Sequence, residues 1–242
     1  MAITWSKEYT DMNHSDWTQN GGITFEEDQH GGQQTVHDGV NNTVSQSPII
    51  LAADGSQHVI SFWLTNLGTS FYSICNQGDI NPILAGAIAV YTNSSDGITA
   101  NFRDQVSPTD ATTLTANFLD ADDGEPHHFL VAVDGNTGKI FFDGADISAS
   151  VSAPGAGYGG LSADDYDFIV GAENSGARPM FNGSNISRVK VARAYYPTDQ
   201  ECIDEYDAEI AALSSGGSLT QEIVMPIANM ITSRMVNNIT AS

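Results

Sequence analysis

Three carboxylates in alternate positions, in the run Glu205-Tyr206-Asp207-Ala208-Glu209, are the residues of this chain with the clearest potential for acid–base chemistry. Two carboxylates that flank a glycosidic bond can act as nucleophile and general acid. A strand would place all three on one face, but this run follows a capping box, Thr198-Asp199-Gln200-Glu201, in a segment of helical period. Alternate helical residues lie about 200° apart, so Asp207 is predicted to face away from Glu205 and Glu209. We therefore interpret the run as a solvated helix face, and the chain as non-catalytic.

A pair of imidazoles, His127-His128, follows Glu125 and could in principle supply metal ligands or acid–base groups. Adjacent residues of a strand point to opposite faces, so the two rings cannot converge on one ion. The six histidines of the chain show no metal-binding spacing. A structural role is therefore predicted for this pair.

Half of the basic residues are concentrated in one short stretch. Four of the eight lie within sixteen positions: Arg178, Arg188, Lys190 and Arg193. On so acidic a chain they could contact an acidic partner surface, another copy of the chain included. The alternative, a strand face balanced by neighbouring carboxylates, stays open. Because Val189 and Val191 point away from Arg188 and Lys190, this strand is predicted to have one hydrated face.

The elements that must position these residues are mainly short strands. In residues 127–147, two apolar runs flank Asp134-Gly135-Asn136-Thr137-Gly138, and a second turn, Asp143-Gly144, follows almost at once. Two reversals within about twenty residues are typical of antiparallel sheet. Further strands are predicted at residues 21–26, 34–40, 48–53, 57–65, 71–76, 84–92, 97–103, 112–119, 165–171 and 186–196. In residues 57–65 neither face is strongly polar, which predicts a central strand covered on both sides.

Several of these segments resemble laminin G-like domains of the concanavalin A-like lectin and glucanase superfamily. The double histidine leading into DGNTGKIFFDG resembles the characteristic hairpin of these domains. Residues 168–171 (FIVG), 181–195 and 60–64 (ISFWL) resemble other strands of the same pattern, over about residues 20–213. The resemblance implies an all-β antiparallel sandwich, jelly roll in type, with a short C-terminal helix. Superfamily glucanases carry an E-x-D-x-E run, but on an internal strand.

The same resemblance suggests where a ligand or a cation would bind. Many members carry calcium near their ligand loops, and hard cations take clustered carboxylates. The candidates here are Asp120, Asp122 and Asp123 in one turn and Asp164, Asp165 and Asp167 in another, with water-facing turn acids as the alternative. A glycan site is predicted at Tyr158, in the loop GAGYGG, together with Asp164 and Asp165.

Composition excludes some partners. Thirty acidic and eight basic residues give a formal charge of −22, which opposes binding to nucleic acid and to anionic membranes. No apolar run approaches the ~18 residues of a membrane span, so no membrane insertion is expected. Cys75 and Cys202 both lie in apolar surroundings and are predicted to be buried free thiols.

The ends of the chain differ from its middle. Residues 1–20 are polar, with isolated Trp5 and Trp17, and are predicted to form an arm laid on the sandwich or on a neighbour, or else a first edge strand. Residues 21–213 form the predicted sandwich. Residues 214–242 form a predicted helical extension for oligomerisation or anchoring. The candidate interface consists of the apolar stripe of this extension, Leu219, Ile223, Ile227 and Met230, together with the basic residues Arg178, Arg188 and Lys190.

The function predicted from these features is structural. The start of the chain lacks an apolar signal segment, whereas lectin-like sandwiches normally work outside cells. A virion surface protein would reconcile the missing signal segment with a role outside cells. An example is a bacteriophage capsid decoration or fibre protein that forms homo-oligomers and contacts other capsid proteins. The alternative is a lectin that binds cell-surface glycans, with or without calcium. A glucanase-like hydrolase is the third hypothesis.

Overall fold

A computed structural model describes residues 2–40, 42–68, 70–78, 88–103, 110–117, 119, 121–147, 150–161, 166–172 and 179–216. The strands are β1 (Lys7–Tyr9), β2 (Thr18–Asn20), β3 (Thr24–Glu27), β4 (Gln33–Val36), β5 (Thr43–Gln46), β6 (Gln57–Thr65), β7 (Ser73–Gln77), β8 (Ile88–Asn93), β9 (Gly97–Arg103), β10 (Ala111–Ala116), β11 (Pro126–Asp134), β12 (Thr137–Phe142), β13 (Ala145–Asp146), β14 (Ser150–Ser152), β15 (Phe168–Val170) and β16 (Asn185–Arg193). Helix α1 (Asp199–Gly216) follows β16. The predicted helix start is confirmed, because the backbone and hydroxyl of Thr198 donate to Glu201 Oε2.

Two antiparallel sheets pack face to face. Sheet A has the order β13-β12-β11-β6-β16-β4-β3, with β1 also paired to β16, and sheet B has the order β14-β10-β9-β8-β7-β15-β5-β2. Apolar side chains at alternate positions of both sheets fill the space between them, where the rings of Phe62 and Phe129 stack at 5.5 Å. The all-β sandwich predicted from strand spacing is therefore confirmed.

The hairpin of residues 127–147 folds as predicted. Asp134 pairs with Thr137 across a two-residue turn, and Phe142 pairs with Ala145 across a second one. In that second turn Asp143 and Gly144 have φ of 47° and 75°, the left-handed values that a two-residue hairpin turn requires. Strand β6 lies between β11 and β16, which confirms its central position.

One predicted strand is wrong. Residues 48–53 form a loop that ends in a 3₁₀ turn, Ala52–Asp54. The side chain of Gln77 replaces a neighbouring strand there, because its Oε1 accepts from the backbone nitrogens of Ile49 and Ile50 and its Nε2 donates to the carbonyl of Ile50. A buried amide side chain can satisfy a backbone that no strand pairs with, and periodicity alone does not reveal this.

Residues 2–20 lie on the sandwich of their own chain. Strand β1 adds to sheet A beside β16, and β2 adds to sheet B beside β5, so the segment crosses from one sheet to the other. Between the two strands, Met12 and Trp17 are buried in the inter-sheet core together with Tyr9. We call residues 2–20 the N-terminal strap.

The C-terminal extension, with Leu219, Ile223, Ile227 and Met230, lies outside the described residues. Within the part of the chain that the structure describes, no helix is both long and apolar enough to cross a bilayer. Cys75 and Cys202 are buried free thiols, as predicted.

Candidate functional site

The outer faces of the two sheets differ in polarity and in what covers them. The outer face of sheet A is apolar in its middle and is covered by α1. A small cluster forms there from Ile3, Val59, Leu130, Ala132, Phe141, Ala192 and Cys202. The turn after β12 fits closely under the helix, since a Cβ on Gly144 would lie 2.6 Å from Cδ1 of Tyr206.

The carboxylates of α1 face this covered surface, which corrects the prediction of a solvated helix face. Glu205 and Glu209 are buried, whereas Asp207 is exposed on the opposite side, as the helical period predicted. Lys190 Nζ donates to Glu205 Oε1 at 2.7 Å and to Glu209 Oε1 at 2.5 Å. Arg188 Nε donates to Glu209 Oε2 at 2.5 Å.

Arg188 and Lys190 are therefore not a free interface. The sequence predicted a hydrated strand face, but α1 of the same chain covers it and supplies the balancing carboxylates. Two indole nitrogens complete the arrangement: Trp63 donates to Glu209 and Trp5 donates to Glu205. We call Lys190, Arg188, Glu205 and Glu209 the ionic cluster.

The charge state of this cluster does not suit glycoside hydrolysis. Burial by itself raises the pKa of Glu209, but the hydrogen bond from Arg188 and the charge of Lys190 outweigh it and lower that pKa to about 2. Burial lowers the pKa of Lys190, and the charge and hydrogen bonds of the two glutamates reverse this to a net rise. A general acid needs a raised pKa, so Glu209 is held in the state opposite to the one required.

The paired imidazoles point to different surroundings, as their strand position predicted. His127 Nδ1 lies 2.7 Å from Asp143 Oδ2, and its Nε2 lies 3.1 Å from Asp123 Oδ1. His128 instead shares a 2.8 Å hydrogen bond with the hydroxyl of Ser61 beneath α1.

The outer face of sheet B carries mostly polar side chains, with one alanine and one tyrosine, in two rows that run across the strands. One row consists of Asn76, Ala89, Asn101, Thr113 and Ser152, each paired with the next across β7, β8, β9, β10 and β14. The second row consists of Ser73, Tyr91, Thr99, Thr115 and Ser150 on the same strands. The two rows contain no acidic residue, although one residue in eight of this chain is acidic. The nearest charge on the same face is Arg103 at the end of β9, whose Nε donates to Asn101 Oδ1 at 3.4 Å. We call this surface the polar face.

The polar face is covered on its β7 side and becomes more exposed toward β14. Thr99 and Asn101 are largely buried, Tyr91, Thr113 and Thr115 are half-buried, and the serines of edge strand β14 are exposed. At the covered side Asn76 Nδ2 donates to the carbonyl of Ala172, whereas Asn76 Oδ1 has no hydrogen-bond partner within the described part of the chain, although the residue is fully buried.

Aromatic surface lies at the same end of the face as Tyr91. The ring of Phe71 lies 6.2 Å from that of Tyr91 and is 49 % exposed. Tyr91 comes from β8, and Phe71 comes from the loop that leads into β7. The pair offers an apolar ring surface beside hydroxyl and amide groups, the combination that sugar recognition needs. Sequence reasoning missed this site, although the alternation in ITANFR and ATTLTA signals a strand with one hydroxyl-rich face.

The site predicted at Tyr158 is not supported by its position. Tyr158 is only 1 % exposed, because its ring packs against Phe102 in the core and its hydroxyl lies 3.0 Å from His58 Nε2. The loop GAGYGG thus anchors an aromatic side chain inside the sandwich, and no sugar can stack on it.

The other predicted site residues are only partly described. Asp164, Asp165, Arg178 and Asp120 lie outside the described residues. Asp122 accepts from the backbone of Gly68, and Asp123 accepts from the backbone of Glu125 as well as contacting His127. Among the described residues, no three His, Cys, Asp or Glu side chains are grouped so as to hold a metal ion. Calcium binding therefore stays a prediction.

Comparison with known proteins adds evidence on the fold. No protein-family model matches this chain, and no curated protein matches it in sequence. Its structure is similar to domain 4 of AbnA, a GH43 extracellular arabinanase from Geobacillus stearothermophilus, solved in complex with arabinotriose. That match has a TM-score of 0.62 at 15 % identity and covers 84 % of this chain and 98 % of that domain.

Two toxin domains are similar to a comparable degree. The binding domain of Paraclostridial Mosquitocidal Protein 1 matches with a TM-score of 0.61 at 11 % identity, over 82 % of this chain and 48 % of that one. The binding domain of botulinum neurotoxin serotype D matches with a TM-score of 0.62 at 9 % identity, over 84 % and 50 %. This chain spans about half the length of these toxin domains. The class of protein that these matches show is defined by its fold alone: a two-layer antiparallel β-sandwich.

Proposed function

We propose that this chain is a non-catalytic carbohydrate-binding module whose ligand lies on the polar face of sheet B. The observation that carries the proposal is the pair of cross-strand rows, uncharged and rich in hydroxyls and amides, with the rings of Tyr91 and Phe71 at one end. The similarity to an arabinanase domain that binds arabinotriose supports it, because that match covers nearly the whole of that domain.

The chemistry of the face suits a neutral sugar. Asparagine and threonine can both donate and accept hydrogen bonds, so they match the hydroxyls of a sugar whichever way these point. An aromatic ring binds the apolar face of a sugar ring by stacking. The formal charge of −22 repels acidic polysaccharides, which favours neutral glycans as ligands.

The absence of catalysis is part of the proposal. The carboxylates with the clearest potential for hydrolysis, Glu205 and Glu209, are engaged by Lys190 and Arg188 beneath α1, on the face opposite to the polar face. A module of this kind would hold a glycan without cleaving it.

We expect Tyr91→Ala and Asn101→Ala each to weaken glycan binding about tenfold or more, since one stacking contact or one buried hydrogen-bonding group contributes on the order of 1–3 kcal/mol. Ligands are first found with a glycan array that includes arabino-oligosaccharides, and affinities are then measured by calorimetry. Asp207→Ala, on the exposed side of α1, is the control and should bind normally. Binding that survives both substitutions would place the ligand elsewhere, and an array without any bound glycan would remove the proposal.

The same array in the presence of EDTA tests the calcium prediction. Loss of binding in EDTA would place a cation at the ligand site, whereas unchanged binding would show that the side chains of the chain suffice.

A virion-surface role stays a prediction from the sequence. It expects a symmetric oligomer whose assembly depends on residues 218–242. Light scattering of the full chain and of a chain ending at residue 217 tests this, and two monomeric species would contradict it.

A further inference from the structure

Two histidines are enclosed in the layer between α1 and sheet A. His30, from the turn between β3 and β4, and His128, from β11, lie on either side of Trp63, with ring centroids 5.1 Å and 5.3 Å from that indole. The side chain of His30 is 2 % exposed, and among the described residues neither of its ring nitrogens has a hydrogen-bond partner, although Nε2 lies 3.9 Å from Glu209 Oε2. His128 is 1 % exposed, and its Nδ1 has no hydrogen-bond partner among the described residues. Both rings are thus packed as neutral aromatic groups.

Charged groups of both signs surround these rings. The groups that face the two histidines or the cations beside them are Glu8 on β1, Asp28 in the β3–β4 turn, Asp143 after β12, Arg188 and Lys190 on β16, and Glu205, Tyr206 and Glu209 on α1. Lys190 and Arg188 already engage both glutamates of the helix. A protonated histidine would be a third buried cation. Glu209, 3.9 Å from His30 Nε2, already pairs with Lys190 and Arg188, and Asp28 also faces His30, so the removal of the imidazolium from water is the main cost of protonation.

We propose that α1 is an acid-released cover: protonation of His30 and His128 undocks it from sheet A while the sandwich beneath stays closed. Release would expose Trp63, Leu130 and Phe141 and give the molecule a second, apolar surface, distinct from the polar face.

The pH range in which α1 is released follows from the direction in which the pKa values of the two histidines are shifted. Burial lowers the pKa of His128 to about 4, and burial together with the charge of Arg188 lowers the pKa of His30. A group whose pKa is lower in the docked state stabilises docking fully above its ordinary pKa of 6.5, and loses this effect as the pH falls toward the docked value. Each histidine then reduces the ratio of docked to released helix up to tenfold per pH unit.

The ionic cluster titrates in a lower and separate range. Because the pKa of Glu209 is lowered from 4.5 to about 2, its ion pairs weaken only below about pH 4.5. Release that begins near pH 6 therefore reports the histidines, not the glutamates.

The two cysteines of the chain provide separate readouts of the cover and of the sandwich. Cys202 is buried between α1 and sheet A, whereas Cys75 is buried in the inter-sheet core. The sandwich contains two further buried histidines, His37 and His58, whose pKa burial lowers to about 4, so acid also weakens the core. Only a measurement that separates the two thiols can distinguish helix release from global unfolding.

Labelling with 4,4′-dithiodipyridine from pH 7 to pH 4, with rates taken relative to urea-unfolded protein at each pH, makes this test. We expect Cys202 to lose protection by up to 100-fold per pH unit below pH 6.5 while Cys75 stays protected. When the logarithm of the protection of Cys202 is plotted against pH, the slope should be halved in His30→Gln. His14→Gln, at an exposed position, should leave the profile unchanged.

Three results would overturn the proposal: constant protection of Cys202 down to pH 4, loss of protection at both thiols together, or an unchanged slope in His30→Gln. If His30→Gln fails to fold, His128→Gln measured in the same way decides between these outcomes.

Discussion

Deletion of residues 2–20 is expected to leave a chain without a cooperative unfolding transition. The strap buries Ile3, Tyr9, Met12 and Trp17, each less than 7 % exposed. Full burial of one such side chain contributes about 1.5–3 kcal/mol, so together they contribute roughly 6–12 kcal/mol. That is comparable to the whole stability of a typical domain, about 5–15 kcal/mol. Deletion also removes one of the strands that pair with β16 in sheet A, β1, and one of those that pair with β5 in sheet B, β2.

Circular dichroism during urea unfolding tests this expectation, and single substitutions grade it. Trp17→Ala should lower the free energy of unfolding by about 3–5 kcal/mol, because its indole packs against Tyr9 at 4.7 Å and Phe168 at 6.5 Å in the core. Gln19→Ala, on exposed strand β2, is the control and should change it by less than about 0.5 kcal/mol. A truncated chain that unfolds cooperatively with nearly full stability would show that the strap is dispensable.

Strand positions could be predicted from the sequence wherever local chemistry decides them. The hairpin formed by β11 and β12 has turn residues that tolerate positive φ between β-branched and aromatic runs, and α1 begins at a capping box. The prediction of a strand at residues 48–53 was wrong because the side chain of Gln77, about 27 positions further along the chain, makes the hydrogen bonds that their backbone needs. Such a contact depends on the tertiary fold and leaves no local pattern.

The ionic cluster could have been predicted from two patterns taken together. Arg188 and Lys190 lie on one side of a strand, and Glu205 and Glu209 lie one helical turn apart in the helix that follows. A strand and the next helix pack together when the helix folds back onto the sheet, which brings these charges into contact. Reading each group separately gave a hydrated strand face and a solvated helix face, and both interpretations were wrong. The alternative of a strand face balanced by neighbouring carboxylates is confirmed.

The polar face lies at the limit of what one sequence can show. Hydroxyls at alternate positions of β9 and β10 indicate a face that is not core, but they do not show which strands are neighbours. Only the cross-strand register places Tyr91, Thr99 and Thr115 in one row. Loops that looked suited to a ligand, such as the one around Tyr158, turned out to anchor the core.

Lys190→Met is expected to lower the free energy of unfolding by about 3–5 kcal/mol, because it leaves buried carboxylates without their main cation. Lys190 Nζ contacts Glu205 and Glu209, and both carboxylates are buried. The methionine side chain keeps most of the volume of lysine, so the loss reports charge and not a cavity. Lys7→Met is a matched control, because Lys7 is about half exposed and only approaches Asp16 at 3.9 Å, so its change should stay below about 1 kcal/mol.

A second substitution should restore most of the stability that Lys190→Met removes. In the double variant Lys190→Met with Glu205→Gln, one positive and one negative charge are removed together, and Arg188 remains to balance Glu209 through its 2.5 Å hydrogen bond. Urea unfolding of the two single variants and the double variant completes the cycle and isolates the coupling between Lys190 and Glu205. If the double variant is as unstable as Lys190→Met alone, charge imbalance is not what destabilises the covered face, and the packing of α1 must depend on the lysine in another way.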